Sequence, residues 1–178
     1  HGIGRRQRQM CIRDSFSGAT DPAQKILIVD PEGRIRWYWY LDKDVQEGIE
    51  AVALEDDAVL VAGGMGLAPT IVSMTGEITY RGPDASSGGR FHHDVRMLDS
   101  GDILALAEAD NTQADKTWTG FLIELRQAGS GTLTGEWTSQ PAVDAGQLLP
   151  PLGDAVVDPY HANAVTHVSD EDLSLIHI

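Results

Sequence analysis

Residues 93–108 read HDVRMLDSGDILALAE, and this stretch decides the fold. An alternating apolar run from His93 to Leu98 meets the turn Asp99-Ser100-Gly101-Asp102, and a second apolar run follows from Ile103. Period-two hydrophobicity on both sides of a Gly-bearing turn is the pattern of a β-hairpin. The same order recurs at 49–64 (IEAVALEDDAVLVAGG) and at 161–176 (HANAVTHVSDEDLSLI). A second kind of hairpin lies between: 26–39 (ILIVDPEGRIRWYW), 70–81 (TIVSMTGEITYR) and 121–137 (FLIELRQAGSGTLTGEW). Its turns, Pro31-Glu32-Gly33, Thr75-Gly76 and Gly129-Ser130-Gly131, supply the positive φ that tight hairpins need.

Two hairpins make a four-stranded unit. Ile49 and His93 open equivalent strands 44 residues apart, which is the length of a four-stranded propeller blade. The next step, His93 to His161, is 68 residues, and loop insertions around Asp110–Trp118 and Gln140–Tyr160 fit the excess. No amphipathic helix is legible. The fold class predicted is all-β, a partial β-propeller of four-stranded antiparallel blades, about three of them. A sandwich of short strands is the rival. Propellers close with about 4–8 blades, so this many blades is expected to be part of a ring.

The chain has 178 residues and a formal net charge of −14. That acidity repels phosphate backbones and anionic lipid, so neither nucleic acid nor a membrane surface is expected as a partner. An anionic substrate would need local positive charge. The single cysteine, Cys11, excludes an internal disulfide framework and a multi-cysteine zinc site. No apolar run reaches the 18 residues of a membrane span, so no membrane insertion is expected. Met10–Ser15 and Leu173–Ile178 resemble translated sequencing-adapter sequence. Residues 1–15 and 173–178 are therefore expected to be non-native tails around a domain at 16–172.

The first strand of a propeller blade lines the central channel. His92-His93-Asp94 opens such a strand in one blade, and His161-Ala162-Asn163 opens the equivalent strand in the next. Imidazole can act as base, nucleophile or metal ligand. Imidazolium can hold an anion, as can Arg90, and an Asn163 amide can donate to a developing oxyanion. The competing reading is structural: the histidines bond one blade to the next. Strict alternation would turn only one of His92 and His93 toward the channel. Three other features read blandly. Gly63-Gly64-Met65-Gly66 is a turn rather than a phosphate loop, Asp110-Asn111 with Asp115 is a solvated acidic loop, and Trp118 is a rim residue within reach of an aryl group.

Phe91-His92-His93-Asp94-Val95, followed by Leu98-Asp99-Ser100-Gly101-Asp102-Ile103-Leu104, resembles the paired His-Asp segment of the arylsulfotransferase family. Tyr160-His161-Ala162-Asn163-Ala164-Val165 is similar to that family's His-x-Asn segment. The hairpins ending in Trp37-Tyr38-Trp39 and Glu136-Trp137 suit its blades, so the likeness covers most of 26–172. The resemblance implies a six-bladed propeller. It would move a sulfuryl group from a small-molecule aryl sulfate donor to a phenolic acceptor, with no cofactor and no metal. It implies catalytic roles for His92 or His93 and for His161, with Asn163 binding substrate; Arg90, read from the residues alone, is expected to bind substrate as well. It places the nucleophilic histidine and a partner arginine beyond Asp172, and it implies a periplasmic or secreted location. Two other functions fit the residues alone. One is a non-catalytic propeller binding module. The other is a metal-dependent hydrolase or lactonase with His93, Asp94, His161 and Asn163 as ligands.

Overall fold

The computed structural model describes residues 11–13, 25–41, 49–54, 57–63, 67–113, 116–148, 162–169 and 172–177. The chain divides into two compact units, residues 1–43 and 44–178.

In the first unit, β1 (Cys11–Arg13), β2 (Lys25–Val29) and β3 (Ile35–Tyr40) form an antiparallel sheet in that order. The β2–β3 turn is tied by Asp30, whose Oδ1 accepts the backbone N–H groups of Glu32 and Arg34 at 3.1 and 2.9 Å. Gly33 supplies a φ of +79° there, as its turn sequence predicts. Along β3, Tyr38 and Tyr40 are exposed and meet edge to face, 5.4 Å between ring centroids.

The second unit begins with β4 (Ile49–Ala53), β5 (Ala58–Gly63), β6 (Leu67–Ser73) and β7 (Ile78–Arg81), an antiparallel sheet in sequence order. A second four-stranded sheet follows: β8 (Phe91–Met97), β9 (Asp102–Gln113), β10 (Lys116–Gln127) and β11 (Leu133–Thr138). After the short helix α1 (Gln140–Asp144), β12 (Ala162–Ser169) pairs with β13 (Asp172–His177). All six hairpins read from the sequence are present, and four of them join in two pairs through β5–β6 and β9–β10.

Within the second unit the sheets stack face to face, and alternation along β9 shows how. Ile103, Ala105, Ala107 and Ala109 join Leu122 in a core shared with Leu60, Ala62 and Ala68 of the preceding sheet. Leu104 and Leu106 join Ile123 in a separate core with Ala162 and Val165 of β12. Odd and even residues of one strand thus serve opposite neighbours, as a sheet buried on both faces requires. Small Ala side chains on one side let the sheets approach closely. The first strands come together as well: β8 contacts both β4 and β12.

Two regions differ from their sequence reading. The stretch Asp110–Trp118 is the extended end of the β9–β10 hairpin, with Trp118 paired opposite Asn111. Residues 114 and 115, including Asp115, lie outside the described residues. Asn111 is fully buried and accepts a hydrogen bond from Ser139 Oγ at 2.7 Å, and Trp118 is only 4% exposed. Neither sits in a solvated rim loop, because the hairpin continues the ladder and α1 packs against β9. Gln140 clamps the edge, accepting from Thr112 N–H at 2.7 Å and donating to Thr112 O at 2.9 Å. The second difference is α1 itself, five residues with Pro141 in its first turn, inside a stretch read as irregular. Residues 149–161 lie outside the described residues, as do 64–66 of the Gly63–Gly66 turn.

Candidate functional site

The site begins with a defect in a ladder. Along β8, Phe91 pairs with Ala107 and Val95 with Ala105. His92, His93 and Asp94 therefore stand against Leu106 alone, a bulge two residues deep. Bulges re-aim side chains and recur beside active sites. Here the extra length is taken up at His93, whose φ is +59°. A left-handed residue inside a strand is uncommon, although His tolerates it better than most residues do. Its consequence is visible: the His92 and His93 rings lie 5.0 Å apart, edge to face. Strict alternation would have turned them to opposite faces of the sheet. The bulge brings them together, and both are half-buried.

The approach to the bulge is held tightly. Gly89 lies so close to β9 that any Cβ there would collide with the Glu108 carbonyl oxygen. Ser87 Oγ donates to that same carbonyl at 2.8 Å, and Glu108 N–H donates to Arg90 O at 2.8 Å. Arg90 is half exposed, and its Nε pairs with Glu108 Oε2 at 3.3 Å. This ion pair sets the guanidinium at the mouth of the strand and leaves its charge partly neutralised.

Asp94 closes the bulge and turns inward. Its side chain is 4% exposed, and its Oδ1 lies 3.0 Å from Arg96 Nε. Its Oδ2 accepts the backbone N–H of Val165 at 2.9 Å, reaching from β8 to β12. Val165 follows Asn163 by two residues, so the contact links the strand bearing the His pair to the strand bearing Asn163. Sequence reasoning quoted Asp94 inside its motif but left it out of the substrate site. The signal available was an acidic residue directly after two histidines in an otherwise apolar strand.

Asn163 lies in β12. Its side chain and the whole of His161 lie outside the described residues. Of the five sequence-predicted site residues, the structure thus brings His92 and His93 together and places Arg90 one strand end away. Among the described residues, no group of three or more His, Cys, Asp or Glu is arranged to hold a metal ion.

A second polar cluster lies on the face of β10 shared with the preceding sheet. Glu124 is fully buried and pairs with Arg126 at 2.6 Å. Glu124 Oε1 accepts Ser86 N–H at 2.5 Å, and Arg126 Nη1 donates to Gly131 O at 2.9 Å. These bonds tie the 82–90 connection and the β10–β11 turn to one sheet. Their chemistry is structural, since both charges are spent on each other and on backbone groups.

No curated protein matches the chain. Residues 13–176 match the family model Arylsulfotransferase (ASST). That span takes in the β8 bulge, the β12 strand and every four-stranded sheet. The family's fold is a β-propeller, and four-stranded antiparallel sheets stacked face to face are the units of that fold. The chain belongs to the arylsulfotransferase family.

Proposed function

We propose that the chain contributes part of a sulfuryl-transfer site, in which His92 and His93 on one sheet act with His161 and Asn163 on the next. The family is one of aryl-sulfate sulfotransferases, which supplies the reaction class. The single observation that carries the local reading is the β8 bulge, which gathers two imidazoles on the strand that touches β12.

The chemistry follows from the charges. A sulfate ester presents three nonbridging oxygens that share negative charge, and transfer breaks the S–O bond to the aryl group. A nitrogen nucleophile forms the new S–N bond, and the departing phenolate takes a proton from an imidazolium. An acceptor phenol then gives its proton to that imidazole as its oxygen attacks sulfur and the S–N bond breaks. The role of His92 and His93 is to donate N–H groups to the nonbridging oxygens, with the Asn163 amide opposite. Preorganised donors of this kind supply most of the stabilisation in such transfers. His161 is the proton carrier or the second oxygen ligand. In an acidic chain, Arg90 supplies cationic charge at the entrance. A nucleophilic histidine and a partner arginine are what the family resemblance implies in addition to these residues. The donor is a small aryl sulfate and the acceptor a phenol; periplasmic or secreted placement is part of the same proposal.

The test is phenolate release from a chromogenic aryl sulfate by the complete enzyme carrying this chain. Replacing His92, His93 or His161 by Ala is expected to lower kcat at least about 100-fold, the loss typical of removing one oxyanion donor or acid–base group. A set of three variants with undiminished turnover would remove this site from the reaction.

A further inference from the structure

We infer that Asp94 is a positioning residue, whose carboxylate fixes the Asn163 segment of β12 against the histidine-bearing bulge of β8. The consequence for catalysis rests on the sulfuryl-transfer reading, while the clamp itself does not.

A carboxylate this deeply buried is costly unless its oxygens are satisfied. Two groups pair with it, and both hydrogen bonds fall on Oδ2, while Oδ1 has the ion-pair contact alone and accepts no hydrogen bond among the described residues. One is local: Arg96, two residues along the same strand, with Nε 3.0 Å from Oδ1 and Nη2 3.4 Å from Oδ2. The other is remote: Val165 N–H, 71 residues away, at 2.9 Å from Oδ2. A bond from a backbone N–H to an ionised carboxylate is among the stronger hydrogen bonds in proteins. Arg96 is half exposed and can stay solvated without Asp94. Val165 is fully buried, so its N–H depends on what the protein offers.

The location gives the bond its use. Asp94 directly follows His93, the residue held at φ +59°, and Val165 lies two residues past Asn163. Two residues of extended chain span about 7 Å. A single carboxylate therefore fixes the spacing of the two motif segments within one side chain's reach of both. The apolar contacts of Leu104 and Leu106 with Ala162 and Val165 hold the sheets together but allow sliding. The directional bond selects one register.

Amide-resolved hydrogen exchange on the full 178-residue chain tests the clamp. Asp94→Leu keeps the shape and removes the acceptor, whereas Asp94→Asn keeps an amide oxygen for Val165 N–H. The Leu variant is expected to accelerate Val165 exchange by about tenfold or more, with Leu106 and Ile123 on the β9–β10 ladder unchanged. The Asn variant is expected to restore protection. Unchanged Val165 exchange, or equal acceleration across the sheet, would overturn the inference. Should the Leu variant not fold, a through-bond coupling between Val165 N–H and the Asp94 carboxyl carbon in the parent decides it, present or absent. In the complete enzyme, Asp94→Leu is expected to lower kcat about 100-fold with KM little changed, and Asp94→Asn to recover most of it. Absence of aryl sulfate cleavage by the parent would sink the sulfuryl-transfer reading and leave the exchange result standing.

Discussion

His93 shows how a single backbone angle makes a site. At φ +59° a residue with a branched Cβ clashes with its own carbonyl, at a cost of about 1–3 kcal/mol. His93→Val is therefore expected to lower unfolding free energy by about that much more than His93→Asn, which tolerates the conformation. Chemical denaturation of the two variants measures the difference. The sequence showed the pair of histidines and the acid after them. It could not show the bulge, because nothing in FHHDV departs from an ordinary strand; the extra residues are visible only against the partner strand. Tyr80 offers a second test at this scale. Its hydroxyl is buried without a hydrogen-bond partner among the described residues. Burial pushes its phenol above the usual value of 10.0, with the Arg126 guanidinium opposing. The neutral form is thus favoured in the folded state. This contribution is complete below pH 10 and is lost as pH rises through the raised folded value. Tyr80→Phe is expected to change stability by no more than about 1 kcal/mol at neutral pH and to flatten the alkaline decline, read from denaturation midpoints between neutral and strongly alkaline pH.

At the scale of elements, the strands were legible and their burial was not. Along 121–126 the sequence FLIELR sets Glu124 and Arg126 in an apolar run and carries no sign that they are buried. In the structure Leu122, Ile123, Glu124 and Arg126 are all buried, because neighbouring sheets cover both faces of this one. A period-two pattern reports one buried face; it is silent about a second face covered by a paired charge. Removing one partner of such a pair leaves the other buried and uncompensated. Glu124→Ala is expected to cost about 3–5 kcal/mol, whereas an exposed control such as Glu32→Ala should cost less than about 1 kcal/mol, both read from denaturation midpoints. The hairpin of β9 and β10 carries the same lesson. Its tip reads as a polar loop from Asp110, Asn111 and Asp115, but Asn111 is drawn in by Ser139 and the ladder runs on past it.

At the scale of the molecule, the repeat of hairpins and the family match agree. Three successive first strands, β4, β8 and β12, touch in order, and each of the last two opens with a motif read from the sequence. The all-β class and the four-stranded unit were legible because hairpin turns and alternation are local signals. The approach of motif segments from different sheets is not local; the blade repeat, which sets both motifs at equivalent strand starts, and the family likeness pointed to it. The segments 91–95 and 160–165 are proposed to serve one sulfuryl-transfer site. The most direct measurement is phenolate release from a chromogenic aryl sulfate by the complete enzyme, with and without a second phenol, comparing the parent with His161→Ala. Acceptor-dependent release is expected in the parent, falling at least about 100-fold in the variant. No release from any aryl sulfate by the folded parent, or equal release by parent and variant, would contradict it.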